Sequence, residues 1–274
     1  MSAAGNISGK VFIVGAGPGA SDLITVKGLR ALQQADIIFY DALVNPQLVS
    51  EAGEETEKVF VGKRCGRHAM DQREINWWIV SEARAGKTVV RLKGGDPLVF
   101  GRGGEEALAC EEAGVEFELV PGVSSALGAA SYAGIPLTHR GVASSVAFVT
   151  AREGRENETG HNKLASLAKA ADTLVIFMGG SRLCSIAASL IEAGMSAATP
   201  VAVISGATLR TQQTIVATLS TIAEQVAEAR LTTPMLIVVG DVVHLSSALN
   251  WFERHRGVLP PIESDVPSEI ILPQ

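Results

Sequence analysis

Lys10-Val11-Phe12-Ile13-Val14-Gly15-Ala16-Gly17-Pro18-Gly19-Ala20 is the stretch from which the fold is read. A short, β-branched run breaks into a glycine-rich turn, and a helical pattern follows from Val26 to Gln34, with Thr25 placed to cap it. Strand, turn and helix in that order begin an α/β unit.

The same alternation continues outward. Further strands are expected at Ile37–Tyr40, Lys58–Val61, Thr88–Leu92 and Phe117–Val120, with helices at Gln72–Arg84 and Glu105–Ala113. A second set of strands is expected at Ser145–Thr150, Thr173–Met178, Pro200–Ile204, Gln213–Ala217 and Met235–Val239. Helices should lie between them near Lys163–Ala170, Ser181–Glu192, Thr221–Ala229 and Val243–Asn250. The pattern predicts two α/β domains with mostly parallel sheets, 1–142 and 143–252, an active-site cleft between them, and a flexible tail over 253–274. Arg152–Asn162 reads as a mobile loop.

The chain has 274 residues, 47% of them hydrophobic and 19% charged, enough to bury a full core and too apolar for disorder. A net charge of −6 argues against nucleic acid as a partner. The uncharged run Leu119–Thr138 is interrupted by Pro121, Gly122, Ser124, Ser125, Ser131 and Pro136, so a buried small-residue helix is expected there and no membrane partner. Cys65, Cys110 and Cys184 lie far apart, which favours a reducing cytoplasm over a disulfide framework.

Gly15–Ala20 satisfies the GxGxxG/A pattern of dinucleotide sites, but Pro18 removes an N–H and Ser21–Ile24 separates the motif from its helix. The turn is open to close approach by a ligand and is a poor anion cradle. More informative is Lys93-Gly94-Gly95-Asp96-Pro97-Leu98-Val99-Phe100-Gly101-Arg102-Gly103-Gly104-Glu105-Glu106. Asp96 can accept from an ammonium or a ribose, Arg102 can fork onto a carboxylate, and Glu105 stands three residues on, where it can orient the arginine. A capped helix start with a surface ion pair is the plainer alternative.

These residues, with Leu23-Ile24-Thr25-Val26-Lys27 and Val120-Pro121-Gly122, resemble the tetrapyrrole methylases. Gly62-Lys63-Arg64, the Gly94–Glu106 series and Gly134-Ile135-Pro136-Leu137-Thr138-His139-Arg140 are most similar to the branch acting on uroporphyrinogen III. The resemblance implies two α/β domains, a homodimer, S-adenosyl-L-methionine as methyl donor and no metal. It places cofactor contacts at Pro18, Gly94, Gly95, Asp96, Val99, Ser124, Ser125, Met178 and Ala207, whose neighbour Gly206 matches almost as well. It implies Asp41 as proton acceptor and Lys63 as donor, with Arg102 and Glu105 a rival centre, although Asp41 could instead cap the helix near Pro46. The chain departs from the family at Thr150-Ala151-Arg152, where Thr-Gly-His is usual, and is too short for an added dehydrogenase and chelatase module.

The implied substrate is a polycarboxylate, which asks for local positive charge. From Lys63 to Arg102 there are nine Lys/Arg against four acids, a local excess of +5. Arg64, Arg67, Arg102 and Arg140 are the expected carboxylate clamps, with His68 and His139 as helpers. A nicotinamide-dependent oxidoreductase, a later corrinoid methylase, a methylase of a modified histidine and a non-catalytic tetrapyrrole carrier are the competing functions.

Overall fold

The computed structural model describes residues 9–62, 70–151, 164, 166–168 and 170–255. Two compact units divide the chain at Ser124/Ser125, so the expected boundary near 142 falls inside the second unit. The helix Ser125–Tyr132 packs on the second unit's sheet, which draws the small-residue segment to that side.

In the first unit, β1 (Lys10–Gly15), β2 (Ile37–Tyr40), β3 (Glu57–Phe60), β4 (Thr88–Lys93) and β5 (Glu116–Val120) form one sheet in the order β3-β2-β4-β1-β5. Every pairing in it is parallel. Its central strands are buried on both faces because helices cover both. Val14, Ile38, Val90 and Leu92 pack with Leu32 of α1 (Val26–Gln33) and Leu48 of α2 (Pro46–Ser50). Val11, Ile13, Phe39 and Val89 pack with Ile75 and Ile79 of α3 (Gln72–Arg84) and Cys110 of α4 (Gly103–Glu112).

Local signals set the helix starts. The Thr25 side chain accepts from Gly28 N at 3.1 Å, and Asp71 accepts from Glu74 N at 2.8 Å, each satisfying an orphan N–H of a first turn. Asn45 caps α2 by accepting from Gln47 N at 3.0 Å, so Asp41 is not that helix's cap.

The second unit begins with α5 (Ser125–Tyr132) and holds β6 (Val146–Thr150), β7 (Thr173–Phe177), β8 (Pro200–Ser205), β9 (Gln213–Thr218) and β10 (Met235–Val239) in the order β6-β7-β10-β8-β9. Here the expectation of mostly parallel strands is corrected. Only β6–β7 pair in parallel, while β10 runs antiparallel to β7 and β8, and β8–β9 form an antiparallel pair. The last strand inserts between β7 and β8 in the opposite direction, so the carboxyl ends of β6, β7 and β8 share one edge. α6 (Leu183–Glu192) and α7 (Ile222–Glu228) cover one face through Leu190, Ile222 and Val226.

The expected helix Val243–Asn250 is instead a 3-10 turn, Asp241–Leu245, followed by α8 (Ser246–Leu249) and α9 (Trp251–His255). Phe252 is buried, so helical structure runs beyond the expected start of the tail at 253; residues 256–274 lie outside the described residues. The whole of the expected loop Arg152–Asn162 does too. Among the described residues, no helix is long and apolar enough to cross a membrane.

Candidate active site

Three glycine turns meet at the carboxyl edge of the first sheet. Gly17 and Gly95 exchange backbone hydrogen bonds, Gly95 N donating to Gly17 O at 2.7 Å and Gly17 N to Gly95 O at 3.2 Å. Ala16 N donates to Lys93 O at 2.7 Å. Asp96 ties in the third turn: its Oδ2 accepts from Gly122 N at 3.1 Å while Oδ1 accepts from Leu98 N at 2.8 Å. The crossing has no room for side chains, since a Cβ on Gly122 would lie 2.3 Å from Gly95 O and 2.7 Å from Gly15 Cα. Pro18, Gly94, Gly95, Asp96 and Val99 are thus gathered around one point, with Ser124 two residues beyond Gly122. Asp96 is half-buried, and each of its oxygens keeps a lone pair beyond the backbone bond it accepts.

Arg102 and Glu105 form the predicted pair. Arg102 Nε donates to Glu105 Oε1 and Nη2 to Oε2, both at 2.8 Å, so guanidinium and carboxylate lie fork to fork. Arg102 is 56% exposed in its side chain and has a left-handed backbone, φ 60°, an arrangement that costs about 1–3 kcal/mol and recurs at functional sites. The hydrogen bond from Arg102 holds the Glu105 carboxyl below its usual range, and Glu105 in turn raises the arginine.

Asp41 follows β2, its side chain 30% exposed. Its Oδ1 accepts from Arg91 Nη2 at 2.5 Å, and Lys93 Nζ stands 3.9 Å from its Oδ2. Arg91 and Lys93 do not belong to the expected basic surface, and the structure corrects that expectation. They are 2% and 3% exposed and point under α3 and α4 to Glu106. Period-two alternation from buried Val89 places them on that face, and two basic side chains inside a central strand require counter-charges; this was the sequence signal available for Glu106. Of the other basic residues, Arg84 donates to Ala113 O and Lys87 pairs with Glu57 and Glu82. Lys63, Arg64, Arg67 and His68 lie outside the described residues.

In the second unit, Met178 directly follows β7 with φ 56° and is left 46% exposed. Gly206, at φ 58°, and Ala207 follow β8 on the same edge of that sheet. Thr208, also left-handed at φ 68°, donates its N–H to the buried Gln212 Oε1 at 2.8 Å, which locks that turn. Ser125 opens α5, and Arg140 is exposed in the turn closed by His139 and Ala143. No cluster of three or more His, Cys, Asp or Glu that could hold a metal occurs among the described residues.

A parallel sheet gathering three glycine turns at its carboxyl edge, followed by a mixed five-stranded sheet with left-handed turns after two of its strands, is the arrangement of a two-unit α/β methyltransferase. More narrowly, the chain belongs to the tetrapyrrole (corrin/porphyrin) methylases, whose family model matches residues 10–223. It is 47% identical over 245 residues to the uroporphyrinogen-III C-methyltransferase of Bacillus subtilis, covering 89% of this chain and 95% of that one. A uroporphyrin-III C-methyltransferase from Thermus thermophilus, solved with S-adenosyl homocysteine, superposes with a TM-score of 0.74 at 38% identity, covering 86% and 100% of the two chains. The cobalt precorrin-4 methyltransferase CbiF gives 0.76 at 33% identity, covering 85% and 95%. The chain also matches siroheme synthases, such as that of Psychrobacter cryohalolentis at 46% identity, of whose length it spans 48%.

Proposed function

We propose that this chain is an S-adenosyl-L-methionine-dependent C-methyltransferase that methylates uroporphyrinogen III twice, giving precorrin-2 and two S-adenosyl-L-homocysteine. The observation that carries this reading is the convergence of Gly15–Ala20, Gly94–Asp96 and Gly122 on one point, with the half-exposed Asp41 carboxylate at the end of β2 in the same unit. The residues suit an adenosylated amino acid. The bare glycine crossing lets a ligand approach backbone closely, Asp96 retains acceptor capacity for an ammonium or a ribose, and the first turn of α1 is already capped by the Thr25 side chain. Pro18, Gly94, Gly95, Asp96, Val99, Ser124, Ser125, Met178 and Ala207 would hold it, and it would supply an electrophilic methyl carbon.

The nucleophile is a pyrrole carbon of the reduced macrocycle, made electron-rich by its ring nitrogen. Holding the reactants at attack distance accounts for about 7–11 kcal/mol of the barrier. Arg102, fixed by Glu105, takes one acidic side chain of the macrocycle, and Arg140, Arg64 and Arg67 take others. Once methylated, the ring is cationic and loses a proton from an adjacent bridging carbon. Asp41 accepts it and releases it to solvent before the second methylation; this net loss of one proton leaves the donor role implied for Lys63 unused. The chemistry needs no metal. In the same reading the enzyme works as a cytoplasmic homodimer, supported for the compartment by the free thiols of Cys110 and Cys184, and its product feeds siroheme, cobalamin or heme d1.

The test compares S-adenosylhomocysteine with NADH for thermal stabilisation, then supplies labelled methyl donor with uroporphyrinogen III or with a later corrinoid precursor under anaerobic conditions. Stabilisation by S-adenosylhomocysteine alone, with label entering uroporphyrinogen III, is expected. Label entering only the later precursor would make this a later corrinoid methylase, and binding of the macrocycle without consumption of donor would make it a carrier.

A further inference from the structure

A buried charge network lies behind Asp41. Glu106, fully buried on α4, accepts through one oxygen, Oε1, from Arg91 Nε at 2.9 Å, Lys93 Nζ at 3.0 Å and Gln72 Nε2 of α3 at 3.1 Å. Its other oxygen, Oε2, is buried with no partner among the described residues. Arg91 is held from the remaining sides as Nη1 donates to Phe39 O at 3.3 Å and Leu92 O at 3.1 Å, which leaves Nη2 for Asp41. Two cations therefore face two carboxylates, and Asp41 is the one member that reaches solvent.

Desolvating such groups costs several kcal/mol per ion, and an apolar core of equal volume is often as stable. Stability is thus a poor reason for the network, whereas a fixed guanidinium behind one exposed carboxylate has an evident use. We infer that Glu106 is a positioning residue for Asp41, acting through Arg91 and Lys93: it fixes the guanidinium that grips Oδ1 and neutralises the second cation, so that Oδ2 stays available to take a proton. Burial and the neighbouring Arg91 charge already push the Lys93 ammonium below the usual lysine range, which Glu106 opposes. The purpose given to Asp41 rests on the function proposed above; its control by Glu106 does not.

Among the described residues, the charged groups facing Asp41 are Arg91 and Lys93 from β4, with Glu106 behind them on α4; Gln72 on α3 is neutral. Cys110 and Arg102 also feel the Glu106 charge. Removing that charge leaves the Arg91 guanidinium, which stays cationic however Lys93 responds, directed at Asp41 alone.

The experiment follows the carboxyl carbon NMR signal of Asp41, assigned by its loss in Asp41→Asn, through a pH titration of the wild type and Glu106→Gln. The midpoint should move to lower pH, and kcat should fall on the order of 10-fold with S-adenosylhomocysteine affinity unchanged. An unmoved midpoint overturns the inference. A moved midpoint in a protein that transfers no methyl to uroporphyrinogen III leaves the positioning role standing and removes the proposed function. Should Glu106→Gln not fold, Glu106→Asp keeps the buried charge and withdraws it by one methylene. The midpoint must then move in the same direction by a smaller amount, and an unmoved one again overturns the inference.

Discussion

Arg102 combines a left-handed backbone, an exposed side chain and a two-pronged bond to Glu105, and no second feature is needed to orient its guanidinium. Lysine in its place would keep the charge and lose the planar fork. Arg102→Lys is expected to lower kcat on the order of 100-fold, the size of effect that a misplaced reactant produces, with S-adenosylhomocysteine affinity unchanged by calorimetry. Equal turnover would remove the clamp role. Asp41→Asn should slow turnover by a comparable factor and leave the macrocycle KM unchanged; a raised KM at normal kcat would make Asp41 a binding residue. The Arg102–Glu105 pair was legible because its spacing of three on a helix start dictates contact. Glu106 was not. Beside Glu105 in a first turn it looks like one more solvated acid; Arg91 and Lys93 inside a central strand signal that a counter-charge is needed, and the three-dimensional placement beneath α3 and α4 shows that Glu106 supplies it.

At the scale of elements, the glycine crossing is the joint on which the first unit's site depends. Gly122→Ala would set a Cβ 2.3 Å from Gly95 O, so the Pro121–Gly122 turn must move away and release Asp96 Oδ2. About 1–3 kcal/mol of destabilisation is expected, seen in chemical denaturation, together with weakened S-adenosylhomocysteine binding; wild-type values for both would show the crossing to be incidental. In the second unit, Asp172 Oδ2 ties the start of β7 to the start of β6 by accepting from the N–H and hydroxyl groups of Ser144 and Ser145 at 2.8–3.0 Å. Those bonds hold the Asp172 carboxyl below its ordinary value of 3.8. The stabilisation is therefore complete above that value and is lost as pH falls through the lower, folded-state one. Asp172→Ala should lower Tm at pH 7, and the gap to wild type should close under strong acid; a gap independent of pH would point to packing instead. Elements of this kind were readable where local chemistry decides them. Gln72–Arg84 forms a helix with the expected bounds because Asp71 caps it, and Thr25 caps α1 as expected. Strand direction was not readable, because an apolar run such as Met235–Val239 looks the same in either orientation and only its neighbours β7 and β8 decide it.

At the scale of the whole molecule, two α/β units were readable from alternation alone, whereas their dividing point was not. Ser125–Tyr132 carries small residues that suit either neighbour, and its contacts with β10 assign it to the second unit. The acidic chain is expected to handle a polycarboxylate by local guanidinium groups, not by overall charge, so moderate salt should raise the macrocycle KM more than it lowers kcat. A salt effect confined to kcat would contradict this. The most direct test of the central claim is mass spectrometry of the macrocycle during anaerobic turnover with uroporphyrinogen III and labelled S-adenosyl-L-methionine. A singly methylated species that gives way to a doubly methylated one, with one S-adenosylhomocysteine released per methyl, is the expected result; a macrocycle that stays unlabelled, or stops at a single methyl with donor in excess, would contradict it.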